Sequence, residues 1–261
     1  RLKVLAPDSA HGTNPASCAI CGRHVVTVAS RSDGRVDLDD LRSKTDSDTA
    51  AMMITNPNTV GVFDEQIAEI AEILHKHGAL LYLDGANMNA MLGIARPGEF
   101  GVDVMHFNPH KTFGTPHGCG GPGAGPVAVA EHLRDYLPVP QVVRREIGGS
   151  VRYLWDYDRP ASIGKVRSFY GQISVLVRTY AYIRALGPDG LRDVSEKAVL
   201  AANYLAARLK DVLELPFAPP YAHEFIAVPQ FRQYGVTELD IAKRLIDYGF
   251  HPPTMSWPVP H

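Results

Sequence analysis

The feature that most constrains this chain is a repeated alternation. Up to about residue 130, short apolar runs take turns with amphipathic stretches. Runs at 3–6, 24–29, 51–55, 79–83 and 104–107 are short and mostly apolar. Such runs suit strands buried on both faces of a parallel sheet, because a strand with one wet face would alternate polar and apolar residues. Between them lie helical patterns, the clearest at 64–77. There Ile67, Ile70, Ala71 and Leu74 recur at helical spacing, Asp64 can cap the start and Gly78 marks the stop. Strand–helix–strand alternation at this pitch predicts an α/β sheet, mostly parallel, with right-handed crossovers and helices on both faces.

A different texture follows. Residues 163–186 read as a long helix carrying Val166, Phe169, Tyr170, Ile173, Val177, Tyr180 and Ile183, which Gly187-Pro188 ends. A second long helix is expected at 191–213, and Pro216-Phe217-Ala218-Pro219-Pro220 makes a domain junction. Beyond it the pattern predicts a strand at 224–228 and a helix at 237–248, with Leu239, Ala242, Leu245 and Ile246 facing inward. The expected division is a large domain at 1–160, connecting helices at 161–215 and the start of a small α+β domain at 216–261. The chain opens with Arg1 and stops at Trp257-Pro258-Val259-Pro260-His261, where a strand begins to form. It reads as part of a longer protein whose N-terminal segment and C-terminal strands lie outside it.

Composition removes several classes of function. Among 261 residues, 28 acidic side chains meet 26 basic ones for a net charge of −2. A nucleic-acid or anionic-membrane binder would need a basic surplus, so neither partner is expected. No run of about eighteen apolar residues is present to span a bilayer. Three cysteines are too few for a disulfide scaffold and fit a reducing compartment, which predicts a cytoplasmic protein.

The chemistry concentrates between residues 82 and 129. Leu81-Tyr82-Leu83-Asp84-Gly85-Ala86 places an acid at the carboxyl end of an apolar strand, the edge where ligands gather in open α/β sheets. Asn108-Pro109-His110-Lys111-Thr112-Phe113 follows the next such strand, and a Gly-rich run at 118–125 lets backbone pass close to a bound group. A structural ion pair between Asp84 and Lys111 is one account. Burying such a pair costs desolvation, however, and seldom repays it alone. A cofactor that requires both groups is the other account. Pyridoxal phosphate needs a lysine for covalent attachment and an acid to keep its ring nitrogen protonated.

The wording of these segments narrows the choice. Asp84-Gly85-Ala86-Asn87-Met88-Asn89-Ala90, the Asn108–Phe113 segment and Pro116-His117-Gly118-Cys119-Gly120-Gly121-Pro122-Gly123 closely resemble the glycine decarboxylase family, the P-protein of the glycine cleavage system. So do Asp8-Ser9-Ala10-His11-Gly12-Thr13-Asn14-Pro15-Ala16-Ser17 and Asp247-Tyr248-Gly249-Phe250-His251-Pro252-Pro253-Thr254. Gly164-Lys165-Val166-Arg167-Ser168-Phe169-Tyr170-Gly171 and His223-Glu224-Phe225 are similar to the split bacterial form, in which two chains replace one. The resemblance spans essentially the whole chain and points to the second, lysine-bearing subunit.

The resemblance implies a pyridoxal-phosphate-dependent fold of type I, aspartate-aminotransferase-like. It also implies decarboxylation of glycine, with the aminomethyl group passed to the lipoyl arm of the H-protein. The implied partners are a companion subunit, in a heterotetramer, and lipoylated H-protein. Lys111 matches the Schiff-base lysine, Asp84 the acid under the pyridine nitrogen, and Ala86 a contact to the ring face. Asn56 stands where such enzymes place a donor to the ring hydroxyl; a turn asparagine before Pro57 is the alternative. His110 falls near the phosphate or the lysine, with ordinary packing as its alternative. His11, Thr13 and Asn14 open a helix whose amides could hold an anion, although a cap by Asn14 with Pro15 in the first turn explains part of that motif without a ligand.

Some residues depart from the family's pattern. Cys18 and Cys21 replace small residues; on a helix they sit three apart, and no second pair completes a zinc site, so packing is the expected role. Cys119 replaces a usual glycine in the Gly-rich turn. The rival readings are another fold-type I enzyme, such as an amino-acid decarboxylase or cysteine desulfurase, and a non-catalytic scaffold subunit, which would not be expected to keep Lys111.

Overall fold

The structure, a computed structural model, describes residues 2–116, 123–166 and 171–255. Five parallel strands build its centre: β1 (Lys3–Pro7), β2 (His24–Val28), β3 (Thr49–Thr55), β4 (Leu80–Gly85) and β5 (Val104–Phe107). With the antiparallel β6 (Val127–Val129) they form one sheet in the order β2-β1-β3-β4-β5-β6. The crossovers carry α1 (Thr13–Ile20), α2 (Leu38–Lys44) and α3 (Ile67–Lys76). A single turn, α4 (Pro109–Thr112), follows β5.

Side chains of β3 show how both faces are covered. Met52 and Ile54 enter one core with Leu5, Leu81 and Leu83 from neighbouring strands, Leu41 of α2, and Ile70 and Leu74 of α3. Met53, pointing the other way, meets Cys18 of α1 at 3.2 Å between sulfurs. The five strands expected before residue 130 are present, within two residues at each end.

Beyond the sheet, β7 (Gln141–Ile147) and β8 (Ser150–Asp156) pair as a hairpin that leaves Val142, Val151, Tyr153 and Trp155 exposed. A long helix, α5 (Ile173–Leu209), is interrupted at Gly187 (φ 62°, ψ −175°) before Pro188, so two helical segments abut where the sequence predicts a break. Two-residue strands β9 (Leu213–Glu214) and β10 (Val228–Pro229) pair antiparallel, and α6 (Glu238–Asp247) follows. Among the described residues no helix is long and apolar enough to cross a membrane.

Six local expectations are corrected. Helix α5 begins at Ile173 rather than residue 163, because Gly164 (φ 90°) and Gly171 (φ 112°) take left-handed backbone that no helix continues. Arg167, Ser168, Phe169 and Tyr170 lie outside the described residues. Asp64 does not cap α3. Its carboxylate instead accepts from the Val36 and Gln66 amides, tying two connections together before the helix starts at Ile67. Residues 224–227 form no strand: the ladder with β9 begins only at Val228, and the Glu224 carbonyl sits against Gly61 (φ 87°), where an added Cβ would lie 2.0 Å from it. Finally, α6 turns only Ala242 fully inward; Leu239 and Ile246 are 49 % and 55 % exposed, because the described residues cover a single stripe of this helix. The other two corrections, at Asn14 and Cys21, belong to the site below.

Leu74 is fully buried between α3 and the sheet. Leu74→Ala should lower unfolding stability by roughly 2–5 kcal/mol, read by denaturant titration, through lost burial plus the cavity it leaves.

Candidate active site

Parallel pairing of β4 with β5 assembles the site. Their register sets Asp84 opposite His106 and Gly85 opposite Phe107, so both strands end on the same edge. Asp84 closes β4, while β5 runs through Asn108 into α4, which carries His110 and Lys111. The two candidate residues therefore occupy neighbouring strand ends. Asp84 is buried and Lys111 exposed. Among the described residues Lys111 makes no ion pair, so the structural pairing of the two is not what this geometry uses.

Three local devices hold this edge. Gly85 permits close approach of the strands, since a Cβ there would fall 2.4 Å from the His106 carbonyl oxygen and 2.3 Å from the Met105 methyl carbon. The buried Thr112 hydroxyl accepts from the Met88 amide at 2.9 Å, joining α4 to the loop after β4. Phe113 packs on Phe107 and meets Tyr182 of α5 edge-on, with centroids 5.3 and 6.2 Å apart. The lysine's turn is thereby anchored from both sides.

The contacts described for Asp84 all fall on one oxygen. Oδ1 accepts from the Ala86 amide at 3.0 Å and lies 3.4 Å from His106 Nε2. Ala86 is thus tied to the carboxylate two residues behind it, at the strand edge. His106 and Tyr82, whose hydroxyl lies 2.7 Å from His106 Nδ1, were not singled out by the sequence. Burial, and secondarily the charge of Asp84, pushes the Tyr82 phenol up to about 12.

Asn56 follows β3, whose last residue Thr55 is in register with Asp84. The side chain is buried and clamps a turn. Its Nδ2 donates to the Asp64 carbonyl, and its Oδ1 accepts from the Asp64 amide. One amide hydrogen remains beyond that clamp. His11 is exposed and accepts from the Thr13 amide through Nδ1 at 3.1 Å. Gly12, not Asn14, is the first flanking residue of α1, and no side chain caps the helix. Asn14 lies within the first turn, buried, and its Nδ2 finds no hydrogen-bond acceptor among the described residues. Its φ/ψ are helical there, whereas a cap needs extended backbone. His110 sits beside Lys111 in α4, and a Cβ added at Gly123 would lie 3.3 Å from His110 Nδ1. The Gly-rich stretch from His117 to Pro122, with Cys119, lies outside the described residues.

Of the two remaining cysteines only Cys18 packs as expected; Cys21 flanks the end of α1 and its burial is corrected. Cys18 is buried against Met53 while Cys21 is exposed. Burial, then the neighbouring Cys21, raises the Cys18 thiol above its ordinary value, which keeps it protonated and unreactive. No group of three or more His, Cys, Asp or Glu among the described residues could hold a metal ion.

Comparison with known proteins places this geometry. The family described as glycine cleavage system P-protein matches residues 19–146, and the glycine dehydrogenase C-terminal domain matches residues 194–261. A protein of Pelodictyon phaeoclathratiforme named probable glycine dehydrogenase (decarboxylating) subunit 2 is 55 % identical over 261 residues, which is 99 % of this chain and 53 % of that protein. The crystal structure of a glycine decarboxylase (P-protein) in inhibitor-bound form superposes with a TM-score of 0.80 at 24 % identity, covering 96 % of this chain and 57 % of that one. A cysteine desulfurase from Thermococcus onnurineus superposes with a TM-score of 0.67 at 17 % identity, over 96 % of this chain and 61 % of that one. These two structural likenesses speak for the fold. The chain spans about half the length of the curated relatives it matches.

Thr112→Val should strand the Met88 amide and cost about 1–3 kcal/mol of stability. Thr112→Ser should recover most of that loss in the same thermal or denaturant melt.

Proposed function

The chain belongs to the glycine cleavage P-protein family, and from that premise we propose that it carries the lysine and the acid of a pyridoxal-phosphate-dependent glycine decarboxylase. The substrate is glycine, and the aminomethyl group left after loss of carbon dioxide passes to the lipoyl arm of a carrier, the H-protein. The observation that carries this reading is the juxtaposition of Asp84 and Lys111 at adjacent ends of parallel strands, inside the segment that matches the family.

The residues present fit the group. A buried carboxylate with one oxygen uncommitted in its described contacts suits a protonated ring nitrogen. An exposed amine on a rigid turn suits covalent attachment to an aldehyde carbon. The buried, unpartnered amide of Asn14 is a further donor in the first turn of α1, near the same edge of the sheet. When bound, pyridoxal phosphate supplies an electron sink for the pair released as the carboxylate leaves.

The roles of this chain's side chains follow from charge and reach. Asp84 holds the ring-nitrogen proton, and with it the sink's electron demand, because a neighbouring negative charge favours the protonated nitrogen. Lys111 would hold the cofactor through Nζ, and the same amine is placed to carry a proton at the reacting carbon. Ala86 is small enough to let a flat ring lie against the strand edge. His110 and His11 flank the same edge as candidates for the anionic end of the cofactor, and Asn56 offers its remaining amide hydrogen toward the ring hydroxyl.

We place this chain beside a companion subunit, as the name subunit 2 given to its relatives suggests, in a heterotetramer within the cytoplasm. The exposed apolar side chains of the β7–β8 hairpin and of α5, among them Tyr153, Trp155, Val177 and Tyr180, are of the kind obligate interfaces bury.

The test is exchange of the glycine carboxyl carbon with bicarbonate by the full-length protein in complex. Lys111→Ala should abolish it and remove the long-wavelength cofactor absorbance that borohydride quenches in the parent. Asp84→Asn should retain covalent attachment at Lys111 but slow exchange by roughly 10²–10³-fold, the scale expected for one preorganised electrostatic partner. Near-full turnover in Asp84→Asn would remove the sink role. Full-length chain should also co-purify with the companion subunit, and full exchange by the isolated subunit as a monomer would refute the need for company.

A further inference from the structure

One histidine beside Asp84 has no part in the roles above. His106 stands on β5 directly across from Asp84. Its Nε2 lies 3.4 Å from Asp84 Oδ1, and its Nδ1 lies 2.7 Å from the Tyr82 hydroxyl. Tyr82 precedes Asp84 by two residues on β4, which puts both side chains on one face of the sheet. Its ring also stacks on the imidazole, with centroids 5.8 Å apart and planes inclined by 29°. Histidine, tyrosine and aspartate thus form a continuous row across two strands.

The direction of each bond follows from the chemistry of its ends. A carboxylate only accepts, so the proton of the neutral imidazole faces Asp84 from Nε2. Nδ1 then presents a lone pair, and the Tyr82 hydroxyl donates into it. A phenol whose pKa is pushed up to about 12 keeps its proton and stays a donor at any working pH. Both ring nitrogens are engaged within the row, so His106 offers neither to a substrate.

We infer that His106, locked as the Nε2–H tautomer by Tyr82, is a positioning residue that holds Asp84 by Oδ1 and so turns Oδ2 toward the cofactor's ring nitrogen. The inference rests on the assignment of Asp84 proposed above. The Ala86 amide donates to Oδ1, and His106 Nε2 stands 3.4 Å from the same oxygen. Rotating the carboxylate would lose both at once, which selects one oxygen for the ring. The close strand contact at Gly85 fixes the distance across which the imidazole reaches. Ligand-bearing groups held by outer-layer partners of this kind are oriented, and their basicity tuned, through the partner's own hydrogen bonds.

The test uses the full-length protein with its companion subunit, loaded with pyridoxal phosphate labelled with ¹⁵N in the ring, together with cofactor-free protein labelled at histidine. In the cofactor-free parent, the imidazole nitrogen shifts should report the Nε2–H tautomer at His106, and Tyr82→Phe should turn it into a tautomer mixture. In the loaded protein, His106→Phe should lose ring-nitrogen protonation at neutral pH and raise the dissociation constant for the cofactor at least about tenfold. His106→Gln, whose side-chain amide can still donate to Asp84, should keep most of both. An Nδ1–H tautomer in the parent overturns the inference, and that measurement stands even if His106→Phe does not fold. So does a ring nitrogen that stays protonated in both His106→Phe and Tyr82→Phe while Asp84→Asn loses the proton. A ring nitrogen that stays protonated in Asp84→Asn itself overturns the assignment of Asp84, and the positioning role falls with it.

Discussion

Everything at the candidate site depends on the parallel pairing of β4 with β5. Parallel strands of one sheet end at the same edge, so whatever follows each of them is delivered to one place. Here that pairing brings a strand-terminal carboxylate, a histidine across the ladder and a lysine one turn beyond into one neighbourhood. Gly85 makes the pairing tight enough to matter, since a side chain there would meet the neighbouring backbone. Core packing below, with Leu81, Leu83 and Met105 buried against α3 and its neighbours, keeps the two strands from sliding. Register and burial are therefore one constraint: a slip by one residue would turn Asp84 to the opposite face and separate it from His106.

Sequence legibility follows the physics of each element. The five parallel strands were readable because burial on both faces demands near-continuous apolar residues, a signal that survives without any structural context. Helix α3 was readable because its inner stripe is regular. The start of α5 was not: apolar spacing runs on through Val166 toward Ile173, while the left-handed glycines at 164 and 171 forbid the helix there. Periodicity reports which face is greasy and says nothing of φ. The β7–β8 hairpin left no usable signal at all, since neither face is buried among the described residues and its polar and apolar residues alternate against nothing.

The site divides along the same line. Asp84 and Lys111 were legible because each follows an apolar run, and position at a strand end is a one-dimensional property. His106 was not, because within Val104–Phe107 it reads as a polar interruption of a short strand. Only the ladder register reveals that it faces Asp84. Asn56 and Asn14 show the limit from the other side. Local sequence offers each a ligand role with a turn or a cap as the alternative; Asn56 does clamp a turn, on the Asp64 backbone, while Asn14 caps nothing and is buried inside a helical turn. Such contacts depend on which loops meet, and that is a property of the folded chain.

A second buried carboxylate at the opposite end of the same strands makes the contrast sharper. Asp103 precedes β5 and is as thoroughly enclosed as Asp84. Its Oδ2 accepts from the Leu81 amide at 2.7 Å and lies 2.8 Å from His75 Nε2, while Oδ1 lies 3.5 Å from His132 Nε2. Both of its oxygens are thus occupied by the protein, and the group serves to pin the start of β4 to the start of β5. Asp84 has the same chemistry, a similar burial and a histidine of its own, but its described contacts crowd onto one oxygen. Leaving a buried carboxylate half-engaged is costly unless something else completes it. Burial therefore does not distinguish the two acids; the oxygen left over does. It lies at the carboxyl edge, where the lysine also stands, and a positively charged ring nitrogen is the kind of group that would complete it.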